Sequence, residues 1–352
     1  MKKYFCTQGL AVLLAVAFSA TALGQALPDP LGEVETKKLA QTGMKFLVTS
    51  VDARATALGG AVTADFNGNS SALFYNPASM AGMEGNFHAG FSNLQYITDI
   101  QYNAASLAFR PSGGNYGVFG VSVLAVNYGD FIGTARANNE VGFVETGTYS
   151  PTALSVGVGY ARSFTDRFSA GGQVKYVLQD IGSGFVTSQD FETGAVNTTE
   201  DYSMSVLAFD VGVVYQTGFK SLTIAMNARN FAKELIYVRE RFELPLMFQI
   251  GAEMNLLDLA NMDPNQHRLV AHVDAARPRD FDEHVKFGVE YGFANLIFLR
   301  GGYQSIVSEE QGFSAGGGVN LDLSSVRFAA DYAYTDFGLF GEVHRVGVNI
   351  GF

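Results

Sequence analysis

From residue 86 to the C-terminus the chain repeats one pattern: segments of about ten residues in which apolar and polar positions alternate, separated by turn residues. In one, Val285, Phe287, Val289 and Tyr291 share a face while Lys286, Gly288 and Glu290 share the other. The division recurs in Leu207, Phe209, Val211, Val213 and Tyr215 against Asp210 and Gly212, and in Leu246, Phe248 and Ile250 against Gln249, Gly251 and Glu253. It recurs again in Leu269, Ala271 and Val273 against Arg268, His272 and Asp274, and in Val326 to Tyr334 against Arg327 and Asp331. A period of two is that of a strand with two unlike faces. The pattern predicts about fourteen strands, over 86–94, 98–110, 115–128, 147–161, 166–180, 202–216, 220–230, 245–255, 266–276, 283–292, 295–304, 311–321, 325–335 and 342–352.

Alternation suits a soluble sandwich as well as a membrane barrel; the connections separate the two. Pro111 to Gly114, Arg162 to Thr165, Thr217 to Phe219, Phe293-Ala294 and Asp322 to Ser324 are short. Gly129 to Thr146, Ile181 to Asp201 and Phe231 to Leu244, on the opposite parity, are long. Short periplasmic turns alternating with long extracellular loops is the habit of an outer-membrane barrel; Leu256 to Asn265 is a medium-length exception. Charge facing lipid at mid-membrane costs ~2–4 kcal/mol, so the ionisable rows must point inward and the Val, Phe and Tyr rows outward. The segments Ile100 to Arg110 and Val118 to Val126 carry apolar residues on both faces, which predicts that they press against something inside the wall.

Thr42 to Gly82 breaks the pattern: rich in Gly and Ala and without alternation, with Asn76-Pro77 and Gly59-Gly60 favouring turns and close backbone approach, it predicts a compact, irregular plug. Its residues Thr42, Gly43, Phe46, Leu47, Asp52-Ala53-Arg54-Ala55, Leu58-Gly59-Gly60-Ala61 and Leu73-Phe74-Tyr75-Asn76-Pro77-Ala78 resemble the N-terminal hatch of FadL-like outer-membrane barrels, and more closely that of the PorV/PorQ family. A second stretch of likeness begins at Asp331 and runs through Arg345. The resemblance implies a non-enzymatic barrel of type IX secretion that binds translocon or cargo proteins at the cell surface. The wider FadL likeness implies instead a diffusion channel for hydrophobic small molecules.

Composition agrees with an all-β membrane protein: 352 residues hold 40 Gly, 29 Phe and 16 Tyr with 16% charged residues. Lys2 and Lys3 before the apolar run Leu10 to Phe18 predict a secretory signal over 1–26, a hatch over 27–85 and a barrel over 86–352, in the outer membrane among its lipids. Cys6, the single cysteine, falls within that signal. Removing Lys2 and Lys3 from the net charge of −11 leaves 21 basic against 34 acidic residues, or −13, which argues against nucleic acid as a partner.

Candidate chemistry is sparse. Gly312 to Gly316 spells G-x-S-x-G, but Ser314 sits inside an alternating segment rather than at a strand-to-helix elbow. The five histidines include no H-x-x-x-H pair, so neither a metal nor a cofactor is expected, nor catalysis. The expected functional residues are the hatch motif (Asp52, Arg54, Gly59, Gly60, Asn76, Pro77) and a polar lumen network of Lys175, Asp210, Arg229, Glu253, Arg268, His272, Asp274, Lys286, Glu290, Arg300, Arg327 and Asp331. That network reads either as ion pairs anchoring strands to each other and to Asp52 and Arg54, or as a polar conduit. Phe352, the terminal aromatic of an alternating strand, resembles the assembly signal of bacterial outer-membrane barrels.

Overall fold

The computed structural model describes residues 42–190, 194–237, 240–260, 266–305, 312–338 and 341–352. The signal at 1–26 and the first part of the expected hatch, 27–41, lie outside them. Among the described residues eighteen strands follow one another: β1 Phe87–Gln95, β2 Gln101–Phe109, β3 Val118–Asn127, β4 Phe131–Arg136, β5 Phe143–Tyr149, β6 Thr152–Ser163, β7 Phe168–Asp190, β8 Gly194–Gln216 and β9 Thr223–Ala232. Then come β10 Leu235–Tyr237, β11 Glu240–Phe242, β12 Met247–Asn255, β13 His267–Pro278, β14 His284–Phe293, β15 Ile297–Gln304, β16 Phe313–Leu323, β17 Val326–Asp336 and β18 Glu342–Gly351.

Fourteen of them, all but β4, β5, β10 and β11, close into one antiparallel barrel, as the alternation predicts. The seam joins first strand to last, from His88 opposite Gly351 to Gln95 opposite His344. There the amides of Asn86 and Phe87 both donate to the Phe352 carbonyl at 2.8 Å, and the rings of Phe87 and Phe352 stack at 5.1 Å. The remaining strands form two small ribbons, β4–β5 and β10–β11, on the long connections. Sequence reading treats those connections and Ile181 to Asp201 as loops. In the structure β7 and β8 stay paired past the barrel, from Ser183 opposite Asp201 to Asp190 opposite Gly194.

The two faces of the wall divide as expected. On β14 Phe287 and Val289 are each 46% exposed on the outside, while Glu290 is 1% exposed on the inside. Phe109, Phe119, Phe164, Phe219, Phe293 and Phe352 form an exposed aromatic row towards the short-turn end, the pattern of a membrane-interface girdle. The short turns are tight: Ala294 and Asn295 both take φ of 52°, the left-handed geometry of a twisted hairpin turn. No helix among the described residues is long and apolar enough to cross a membrane; the strands cross it.

Residues 42–83 fill the lumen as short turns rather than regular elements: 3-10 segments at Lys45–Val48, Ser70–Phe74 and Pro77–Gly82 and one helix, α1, at Ala53–Ala57. Two kinds of contact seat them. Towards β2, β3 and β6 the fit is apolar: Leu73, Met80 and Met83 pack on Ala108, Val118 and Ala161, which accounts for the two-sided apolar segments of β2 and β3. In the half nearer the long connections, Phe46 and Val51 join Leu94, Leu124, Val177 and Val343 in a second apolar cluster. Towards β8, β9 and β12 to β18 polar contacts join small apolar ones, Ala78 with Val214 and Ala225, and Ala53 and Ala57 with Ala333.

Candidate functional site

The hatch motif residues are set by local rules. The Asp52 carboxylate accepts from the Ala55 amide at 2.8 Å and so caps α1. Burial pushes this carboxyl above its ordinary range, and the Asp331 carboxylate adds to the rise against the opposing pull of the Ala55 amide, Arg54 and Arg300. After α1 the chain turns through Gly59 (φ 66°) and Gly60 (φ 73°) and lies directly on the wall. A Cβ on Gly59 would stand 2.8 Å from the Tyr303 amide, and one on Gly288 would stand 2.7 Å from the Leu58 carbonyl, so glycine is needed on both sides of the contact. Ser314, the second residue of β16, accepts from the Gly59 amide at 3.1 Å. Asn76 holds the next turn, donating to the Thr63 carbonyl at 2.8 Å and accepting from the Ala78 amide at 3.1 Å, with Pro77 opening the following 3-10 segment.

Around these turns the inward charges gather into three groups. In the first, Glu290 lies between two guanidinium groups, Arg54 of the hatch at 3.0 Å and Arg300 of the wall at 2.7 Å, and Arg300 continues to Asp331 at 2.6 Å. Arg54 also pairs with Asp65. In the second, Lys175 pairs with Asp210 at 2.7 Å and donates to Asn230 at 2.6 Å, while Arg229 and Asn227 donate to the carbonyls of Phe74 and Tyr75. In the third, Asp274 accepts from the Thr63 amide at 2.9 Å, near Lys286, and His272 stands 3.5 Å from Glu253. Arg268 is half-buried beside this last pair. A cavity of about 20 Å³ remains inside the hatch between Asp52, Arg54, Asp65, Tyr75 and Asn76, room for about one water.

Two expected members fall elsewhere. Arg327 is a correction: its side chain is 58% exposed at the short-turn rim, where it pairs with Asp322 at 3.1 Å and Glu84 at 3.5 Å, because it is the second residue of β17 and lies below the hatch. Asp52 caps α1 rather than pairing with the wall. Sequence reading also passes over Asp65, Asn227, Asn230 and Arg345. Arg345 donates to the Ser50 carbonyl and to Thr335, both at 3.0 Å. Its signal was available: it shares a face with Gly347 and Asn349, opposite Val346, Val348 and Ile350.

At the long-connection end the surface changes character. Phe131, Ile132, Val141, Phe143 and Val144 are exposed on or beside the β4–β5 ribbon, as are Ile236 on β10 and Phe281 between β13 and β14. On the same connections Phe191 lies outside the described residues, as do the side chains of Phe185 and Tyr237.

Three solved barrels share this architecture. The toluene transporter TbuX of Ralstonia pickettii superposes with a TM-score of 0.55 at 13% identity, covering 87% of this chain and 98% of its own. The toluene transporter TodX of Pseudomonas putida gives 0.54 at 13% identity over 84% and 96%, and a FadL homologue of Pseudomonas aeruginosa 0.53 at 11% over 86% and 98%. At such identities the likeness is one of fold. No curated protein matches the chain by sequence. The family model that does match is that of the type IX secretion system membrane protein PorP/SprF, over residues 69–348. The expected setting, an outer-membrane barrel of type IX secretion with a FadL-like fold, therefore holds, and the family that the match shows is PorP/SprF. With most of its length inside that match, from the second half of the hatch to the last strand, this outer-membrane chain belongs to the PorP/SprF family of type IX secretion membrane proteins.

Proposed function

We propose that the barrel is a non-enzymatic component of type IX secretion that binds translocon or cargo proteins at the cell surface, in the manner expected of a PorV/PorQ-like partner. One observation carries the reading: the long-connection end displays apolar side chains, Ile132 at 65% and Ile236 at 63% exposed, beside ion pairs such as Arg241 with Glu234 at 3.6 Å. Apolar groups bordered by charge are the anatomy of a protein-binding face. The seated hatch supports it, since a lumen crossed by ion pairs and packed with Leu73, Met80 and Met83 suits a scaffold better than an open path.

The second reading, a FadL-like diffusion channel for hydrophobic small molecules, draws on the apolar cluster in the long-connection half of the lumen and on neighbours named as toluene transporters. Shortening both the 181–201 and 231–244 connections separates the two. The expected result is loss of co-purification with a large translocon barrel or secreted proteins from detergent-solubilised outer membranes, with hydrocarbon uptake unchanged. Loss of uptake with no protein partner in the wild type would favour the channel.

A further inference from the structure

The outward face of the wall is not uniform around the barrel. Six residues in from an outward side chain at the short-turn end, β7 presents Val174 (counting from Phe168), β8 Phe209 (from Tyr215) and β14 Phe287 (from Phe293), all exposed and apolar. The same count gives Asn93 on β1 (from Phe87), Asn103 on β2 (from Phe109) and His344 on β18 (from Ile350), all exposed and polar. These three strands are neighbours and contain the seam. The Asn93 amide donates to Asn103 at 2.9 Å, and His344 shares a hydrogen bond with Tyr332 at 2.7 Å. Beyond them the face stays polar: Gln95 lies opposite Gln101 on one side and opposite His344 on the other.

Depth makes this patch unusual. Six strand residues at about 3.3 Å each, tilted by about 40°, climb about 15 Å, well inside an apolar band about 25 Å tall. The wall is also low here. β1 and β2 have nine residues each and β18 has ten, whereas β7 and β8 have 23. By the same geometry a nine-residue strand climbs only about 20 Å before it turns back. Acyl chains offer side-chain amides no partner, and the one bond between Asn93 and Asn103 leaves each with further donors and acceptors to satisfy.

We propose that the bilayer is thinned beside the seam, so that outer-leaflet headgroups dip along β18, β1 and β2 and occupy the patch around Asn93, Asn103 and His344. Headgroup phosphate oxygens accept from the side-chain amides, and a wall too short for the hydrocarbon layer is met by thinning of that layer. The low wall favours lipid over a protein neighbour: a neighbour could pair with the patch, but β1 and β2 would still end short of the hydrocarbon boundary. The inference stands apart from the choice between protein binding and hydrocarbon diffusion.

The chain has no tryptophan, so single-tryptophan variants report one position each. Asn93→Trp and Val174→Trp are compared as full-length protein in dioleoylphosphatidylcholine vesicles, with heat-modifiable migration as the check on folding and His344→Trp as a second reporter of the seam. Lipids brominated near the ends of their acyl chains should quench Val174→Trp severalfold more than either seam variant, and acrylamide should show the reverse order. Equal quenching by brominated lipid at the seam and at Val174→Trp would overturn the proposal. In a chain with Cys6 replaced by Ser, Asn93→Cys should react with a membrane-impermeant maleimide on intact cells as readily as in the vesicles. Labelling in vesicles with protection on cells would give the patch to a protein neighbour and overturn the headgroup assignment.

Discussion

Glu290 is a single carboxylate serving two guanidinium groups, one from each body it joins. Removing one member of a buried pair leaves the others uncompensated, at a cost of about 3–5 kcal/mol. Glu290→Gln should therefore lower the thermal midpoint of the detergent-solubilised barrel by several degrees, whereas Glu283→Gln, in an exposed pair with Arg277, should change it little. Asp52 makes a prediction of opposite sense. Its carboxyl is held above its ordinary value, so the protonated form is the one folding favours; the stability it contributes is present near pH 4 and lost as pH rises through the folded-state value. Asp52→Asn keeps a capping oxygen while removing the charge. Its midpoint at neutral pH should equal or exceed that of the native chain, and a pH series should show a flatter curve than the native chain between pH 4 and 7. Residue identity alone could not reveal these roles, since alternation reports the face a side chain occupies and not its depth. That is why Arg327 was expected in the lumen and stands at the rim, while Asp65, outside any alternating segment, gave no sign of its pairing with Arg54.

At the scale of elements, the wall glycines record where the hatch lies. A Cβ on Gly302 would overlap the backbone of Leu58 and Gly59, whereas one on neighbouring Gly301 would meet nothing within 4 Å. Gly302→Leu should unseat that side of the hatch and raise sensitivity to bulky antibiotics; Gly301→Leu, one residue away on the lipid side, should not. Equal sensitivity of the two variants would mean that this contact does not hold the hatch. The barrel strands themselves were legible because each must present hydrocarbon to lipid and polarity to the lumen, a constraint written into every second residue. The ribbons β4–β5 and β10–β11 and the extension of β7 and β8 escape that constraint. They have no lipid face, and a segment such as Phe143–Tyr149, with almost every side chain exposed or nearly so, has no buried side to create alternation.

For the molecule as a whole, the contacts that seat the hatch span most of the sequence: Arg54 reaches Glu290 across 236 positions and Arg345 reaches Ser50 across 295. Such a fold has very high contact order, and each of these contacts waits on closure of a long loop of chain. The seam between β1 and β18 makes the order of events matter. The hatch is made first, yet the wall that encloses it gains its last strand only with the C-terminal residues, so the hatch must be in place, or threaded in as the sheet curls, before the seam zips. Once zipped, the seam has Phe352 accepting from both Asn86 and Phe87, and the segment that leaves the hatch is tied to the last residue of the chain. Biogenesis thus ends with the hatch enclosed: it is tied to the seam through Asn86 and to the wall through the Arg54–Glu290 pair, so releasing it would require both ties to break.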